Sequence, residues 1–164
     1  MTHAFHHDLA FSTPDQTTAF AEALARQLVP GDVILLSGGI GAGKTHFARA
    51  VIQFRLATQG LAEDVPSPTF TLVQTYDDTI SEIWHSDLYR LTHPDEVEEL
   101  GLIDAFETAI CLVEWPDRLG ELMPQNALLL EFSSGDASED PDLRHVRISG
   151  PAESWEARIQ KALP

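Results

Sequence analysis

The stretch Val33-Ile34-Leu35-Leu36-Ser37-Gly38-Gly39-Ile40-Gly41-Ala42-Gly43-Lys44-Thr45 decides the fold. It opens on a continuous apolar run, Val33 to Leu36, bounded by turn residues. Such a run suits a strand buried on both faces. Gly38 to Thr45 then matches G-x-x-x-x-G-K-[ST] at every position. Each residue type has a task. The glycines, with Ile40 and Ala42 between them, let backbone N–H groups converge on phosphate oxygens where a Cβ would crowd them. A helix starting at Thr45 offers its free N–H groups to the same anion. Lys44 supplies a point charge to the β- and γ-phosphates, and the Thr45 hydroxyl is a ligand for Mg²⁺. Phe47, Ala48, Val51, Ile52 and Leu56 fall mostly on one face of that helix, predicted over 45–56.

The flanks are read outward from this loop. Residues 4–11 read as a first strand. A helix is predicted over 14–28, with Thr13 as cap, Pro14 in the first position and Gln16 reaching back. Pro30-Gly31-Asp32 ends it. Downstream, 69–76 and 80–89 read as strands joined by a turn at Asp77-Asp78. The acidic stretch 93–107 reads as helix in pieces, broken at Gly101. Ala109 to Val113 is a second buried-strand run. Residues 127–132 and 143–148 read as later strands around an acidic loop, and 154–163 as a closing helix. Strands flanked by helices, with one hairpin, point to a three-layer α/β architecture.

Composition narrows the functional classes. The chain has 164 residues, which suits one domain over 1–164. It carries 10 Lys+Arg against 26 Asp+Glu, a net charge of −16, so the chain is poorly equipped to hold a nucleic-acid backbone by itself. No apolar run is long enough for a membrane helix. The segment MTHAFHHDLAF has no basic stretch leading into an apolar one, so no leader peptide is expected. The lone Cys111 cannot form an internal disulfide, and cytoplasm is the simplest compartment.

Mg²⁺ bound to a nucleotide needs a second protein ligand. Glu114 stands directly after the apolar run 109–113, where a strand end would present it; the plainer reading is an ordinary strand-end carboxylate. Asp32 precedes its strand and fits poorly. Asp87, between Trp84 and Tyr89, is open between a water-orienting acid and an ion-pair partner for Arg90. Thr69, after Pro66-Ser67-Pro68, lies where a γ-phosphate sensor can stand, although these residues also make ordinary loops. Trp115 either shields the site or is core. His3, His6 and His7 are expected to be solvated.

Several segments together resemble one family. LSGGIGAGKTHFARA, VPSPTFTLVQTY, HSDLYRLTHPDEVEELGLIDAF and AICLVEWPDRLGELMP occur in the order and spacing of the TsaE (YjeE) family, across about residues 31–124. The resemblance implies a P-loop α/β domain with a mixed central sheet and an ATPase using ATP and Mg²⁺. Lys44 would bind phosphate, and Thr45 and Glu114 would hold Mg²⁺. Thr69 would belong to a switch-like segment, Asp87 would be the acid needed for hydrolysis, and Trp115 would lie beside the site. Gln16 and Thr18 would approach the adenine. It also implies work with the TsaD–TsaB pair, which threonylcarbamoylates adenosine 37 of tRNA, with ATP hydrolysis resetting that assembly. Contact with tRNA would then run only through the partners, and the acidic stretch 95–107 could face a basic partner, although a solvated helix face explains most of its charge. Three positions depart from the family pattern: Gly39 replaces a usual acid, His46 a Thr or Ser, and Ser86 a Phe.

Three other readings compete. A small-metabolite kinase needs an arginine-rich lid, and none is evident among the eight arginines. A GTPase would use Asp117-Arg118-Leu119-Gly120 as D-x-x-G, but the guanine-reading N-K-x-D is absent. A nucleotide-dependent adaptor with little intrinsic hydrolysis is the third.

Overall fold

The computed structural model describes residues 3–164; Met1 and Thr2, the start of the stretch read for a leader, lie outside them. The elements are β1 (Ala4–Phe11), α1 (Pro14–Ala25), β2 (Val33–Gly38), α2 (Lys44–Thr58), β3 (Val73–Asp77) and β4 (Glu82–Asp87). They continue with α3 (Asp95–Glu99), α4 (Leu102–Thr108), β5 (Ile110–Glu114), a 3₁₀ segment (Pro116–Leu122), β6 (Leu128–Ser134), β7 (Arg144–Pro151) and α5 (Ala152–Ala162). The strands form one mixed sheet in the order β1-β7-β6-β2-β5-β4-β3. The central strands β6, β2, β5 and β4 run parallel, while β1, β7 and β3 pair antiparallel at the flanks. Among the described residues no helix is long and apolar enough to cross a membrane.

Side-chain alternation explains the layers. On β2, Ile34 and Leu36 enter one core with Phe20, Leu24, Phe47, Val51 and Trp155, from helices α1, α2 and α5. Val33 and Leu35 enter a second core on the opposite face with Val97, Leu102 and Phe106, from α3 and α4, and Leu119 of the 3₁₀ segment. Strand β5 does the same, with Ile110 and Leu112 on the first side and Cys111 and Val113 on the second. The continuous apolar runs are therefore strands covered on both faces.

The structure corrects several boundaries. Helix α1 ends at Ala25 and tightens there, with Gln27 and Leu28 donating to Leu24 and Ala25 ahead of Pro30. Residues 69–72 form a turn, not the start of β3. The Leu72 N–H donates to the Pro68 carbonyl at 2.8 Å, and Leu72 has φ 69°. Strand β4 begins only at Glu82, since the Asp78 carboxylate accepts from the N–H groups of Ile80 and Ser81 and holds them in the turn. That turn is clamped to α2. Arg55, near the helix C-terminus, donates to Asp78 at 2.9 Å, to Ser81 Oγ at 3.3 Å, and to the Ala25 and Leu28 carbonyls. The break at Gly101 is as expected, with φ 79° and Trp84 packed beside its Cα.

Candidate functional site

The register of the parallel strands assembles the site. Asp87 ends β4 and Glu114 ends β5, and the two are cross-strand partners. β5 lies beside β2 with β4 beyond it, and both present these ends toward the loop that leads from Gly38 into α2. A cleft of about 440 Å³ opens there, lined by Gly41, Lys44, Thr45, Thr69, Asp87 and Glu114 among others. This is the carboxyl edge of a parallel sheet, the usual place for a ligand in such folds.

The loop geometry needs its glycines unequally. Gly38 has φ 141°, and a Cβ there would run into the backbone of Phe132. Gly41 (φ 77°) and Gly43 (φ 113°) also hold left-handed backbone, and Gly43 caps α2. Gly39 is unrestrained: nothing lies within 4 Å of a Cβ built on it. No side chain caps α2, so the free N–H groups of a 15-residue helix start open into the cleft.

Lys44 is 5% exposed. Its ammonium donates to the carbonyls of Gly38 and Gly39 and lies 3.7 Å from the ring centroid of Trp115. Burial pulls its pKa below the ordinary lysine value, against the opposing pull of Glu114, Asp87 and Asp117. Trp115 follows β5 in the left-handed region (φ 59°), its N–H held by Leu36 O at 3.2 Å, and its ring meets Tyr89 at 4.8 Å. This conformation costs a non-glycine residue about 1–2 kcal/mol and aims the indole at the lysine.

Glu114 is 2% exposed. Its Oε1 accepts from the Thr45 hydroxyl at 2.8 Å, and its Oε2 lies 2.7 Å from His85 Nε2. Asp87, 6% exposed, accepts from the Tyr89 N–H at 3.0 Å through Oδ1 and from Thr69 Oγ1 at 3.4 Å through Oδ2. Ser67 Oγ stands 2.7 Å from the same Thr69 hydroxyl. Arg90 does not pair with Asp87; its guanidinium donates to Phe70 O. Thr45 and Glu114 offer hard oxygen donors at the foot of the phosphate loop. No larger cluster of metal-binding side chains occurs among the described residues. That donor set fits Mg²⁺, which takes one or two protein oxygens and completes its shell with phosphate and water.

Gln16 and Thr18 are not brought into this cleft. Gln16 Oε1 accepts from Ser12 N at 2.6 Å, one residue before the expected cap. Thr18 Oγ1 lies 2.9 Å from His46 Nε2 on α2. The α1 residues that reach the loop are Pro14 and Thr17, which line a smaller recess of about 220 Å³ with His46, Phe132 and Arg144. Helical phase turns position 16 to the far side of α1 from 14, 17 and 21, while Thr18, one turn beyond Pro14, stands farther along the axis and meets His46 instead. Asp117 is largely exposed beside Arg118.

Sequence reasoning missed His85, Ser67 and Tyr89. A signal for His85 existed. On a strand, residues two apart share a face, so His85 had to point the same way as Asp87.

Comparison with known proteins adds four findings. The family model described as "Threonylcarbamoyl adenosine biosynthesis protein TsaE" matches residues 11–142. A protein named "tRNA threonylcarbamoyladenosine biosynthesis protein TsaE" from Rickettsia bellii is 40% identical over 113 residues, covering 69% of this chain and 76% of that one. Its namesake from Bacillus subtilis is 40% identical over 116 residues, covering 70% of each. The crystal structure of Bacillus subtilis YdiB superposes with a TM-score of 0.75 at 27% identity, covering 99% of this chain and 97% of that one.

Proposed function

The chain belongs to the TsaE family, and from that premise we propose that it is a Mg²⁺-dependent ATPase serving threonylcarbamoylation of adenosine 37 in tRNA. In this reading residues 1–164 act as one P-loop domain in the cytoplasm, and ATP hydrolysis resets the TsaD–TsaB pair between turnovers. One observation carries the enzymatic part. The phosphate-loop Lys44, the Thr45–Glu114 oxygen pair and the buried acid Asp87 converge on a single cleft.

The residues divide the work. Lys44 leaves the carbonyls of Gly38 and Gly39 for the phosphate oxygens and neutralises their charge. The N–H groups of the loop and of the start of α2 hold the same oxygens. Thr45 and Glu114 would hold Mg²⁺, which would supply positive charge to offset that of the phosphates. Asp87 orients a water and takes its proton as the water oxygen bonds to the γ-phosphorus. The bond from that phosphorus to the bridging oxygen breaks, and ADP and phosphate leave. Thr69, hydrogen-bonded to Asp87, positions that carboxylate.

A partner-dependent cycle has support at the rim of the cleft. Ile40 at the loop tip and Phe70 beside Thr69 are each 82% exposed, and large apolar side chains so placed favour coverage by another protein. The same feature favours the nucleotide-dependent adaptor as the second reading. The deciding experiment is Mg-ATP turnover by the purified chain with and without TsaD–TsaB from the same source. Stimulation by the pair is the expected result. Turnover indifferent to the pair breaks the pathway assignment, and negligible turnover alongside nucleotide-dependent assembly favours the adaptor.

A further inference from the structure

We propose that His85 is the positioning residue for the metal-holding carboxylate, fixing Glu114 so that its Oε1 stays with Thr45. The assignment rests on the Mg-ATPase reading and extends it to a residue outside the cleft.

His85 sits within β4 and pairs in register with Leu112. It is fully buried, with no exposed surface. Its Nε2 lies 2.7 Å from Glu114 Oε2, while its Nδ1 has no hydrogen-bond partner among the described residues. Nε2 is therefore the nitrogen that carries the proton, because it alone has an acceptor in reach.

An imidazole in such a place is costly. Its Nδ1 is desolvated without return, and the strand positions around it are filled by Ile83, Ile110 and Leu112, all buried. An apolar side chain would pack there without that cost. Among the described residues the one polar contact of the His85 side chain is the bond to Glu114, so that bond is what the side chain contributes.

The geometry says what the bond does. A carboxylate at a strand end can rotate about its terminal torsion, which is broad. With Oε2 held by His85 from the adjoining strand, rotation stops and Oε1 is directed at the Thr45 hydroxyl, 2.8 Å away. The two oxygen donors of the proposed Mg²⁺ site then keep a common orientation. Partners that orient metal-binding side chains typically change metal affinity by about 10- to 100-fold when removed.

The test reads Mg²⁺ rather than turnover. A fluorescent ATP analogue is bound to the full chain across a Mg²⁺ titration and, separately, in excess EDTA. Three variants are compared: His85→Leu removes the donor and keeps the bulk, His85→Asn carries an amide too short to reach Glu114, and His85→Gln places an N–H where Nε2 stood. The assignment expects the Mg²⁺ midpoint to rise about 10- to 100-fold in the Leu and Asn variants. It expects affinity in EDTA to stay at the wild-type level, and the Gln variant to recover most of the Mg²⁺ response. Should the Leu variant not fold, Asn against Gln makes the same comparison. A wild-type Mg²⁺ midpoint in folded Leu or Asn variants overturns the assignment. A Gln variant as impaired as Asn does so too, since the role is then packing. Wild-type nucleotide binding that ignores Mg²⁺ is a different failure: it overturns the Mg-ATPase reading itself and takes this assignment with it.

Discussion

The ammonium of Lys44 rests 3.7 Å from the centre of the Trp115 ring, and a left-handed backbone turn at Trp115 puts the ring there. A cation over an indole gains about 0.5–2 kcal/mol, and phosphate oxygens are stronger competitors for the same charge. Nucleotide binding therefore draws the ammonium away from the ring. Tryptophan fluorescence is expected to change on adding ATP, and the change is expected to vanish in Trp115→Phe. A full response in that variant assigns the signal to Trp84 or Trp155 instead.

Asp87 is buried, held by the Tyr89 N–H and Thr69, and free of Arg90. Asp87→Asn keeps the shape and loses the proton acceptor. Turnover is expected to fall by about 10²- to 10⁴-fold, with nucleotide affinity little changed. Single-turnover hydrolysis and equilibrium binding measured on the same preparation separate the two effects.

Gly38 and Gly39 are neighbours with opposite constraints. An alanine at 38 would drive its Cβ into the Phe132 backbone across the β2–β6 pairing, in a conformation only glycine adopts easily. Gly38→Ala is expected to cost more than about 4 kcal/mol or to prevent folding. Gly39→Ala meets nothing and is expected to stay within about 0.5 kcal/mol of wild type. Urea denaturation of both variants checks the contrast.

Cys111 is completely buried in β5, and burial, with a smaller contribution from Glu82, pushes its thiol up to about 12 from an ordinary value of 9.0. Between those values the unfolded chain releases the proton and the native chain keeps it. Stability is therefore lost as pH rises through this window, by at most about 1.4 kcal/mol per pH unit from this one group. The buried Tyr76 hydroxyl, also shifted upward, adds a loss of the same sign. The stability of Cys111→Ala relative to wild type is expected to improve by about 1.4 kcal/mol between pH 8 and pH 10, as measured by urea midpoints. Native Cys111 is expected to resist thiol reagents until the chain unfolds.

What was legible in the sequence follows from how local each signal was. The runs 33–36 and 109–113 announced strands covered on both faces, because only central parallel strands tolerate apolar residues on each side. The phosphate loop and Glu114 were legible for the same reason, since each continues directly from such a run. Residues 69–72 misled because Thr-Phe-Thr-Leu has strand composition, while the preceding prolines and the Leu72–Pro68 hydrogen bond impose a turn. Which α1 residues meet the loop depends on helical phase and on distance along the helix, and these set Pro14 and Thr17 rather than Gln16 and Thr18 at its recess. The surroundings of Asp87 and the role of His85 were hidden because they depend on β4 lying beside β5, a pairing between strands separated by two helices.

The Arg55 clamp has a consequence for the length of α2. The helix holds Lys44 and Thr45 at one end and grips the β3–β4 turn near the other, and β4 runs back from that turn to Asp87. Loop, helix and hairpin make a closed frame whose fixed side is α2, about 22 Å long. One residue inserted into that helix would swing Arg55 through about 100° and away from Asp78. The residue count of α2 is thus set by angle as much as by distance, and only changes close to whole turns would leave both corners of the frame joined.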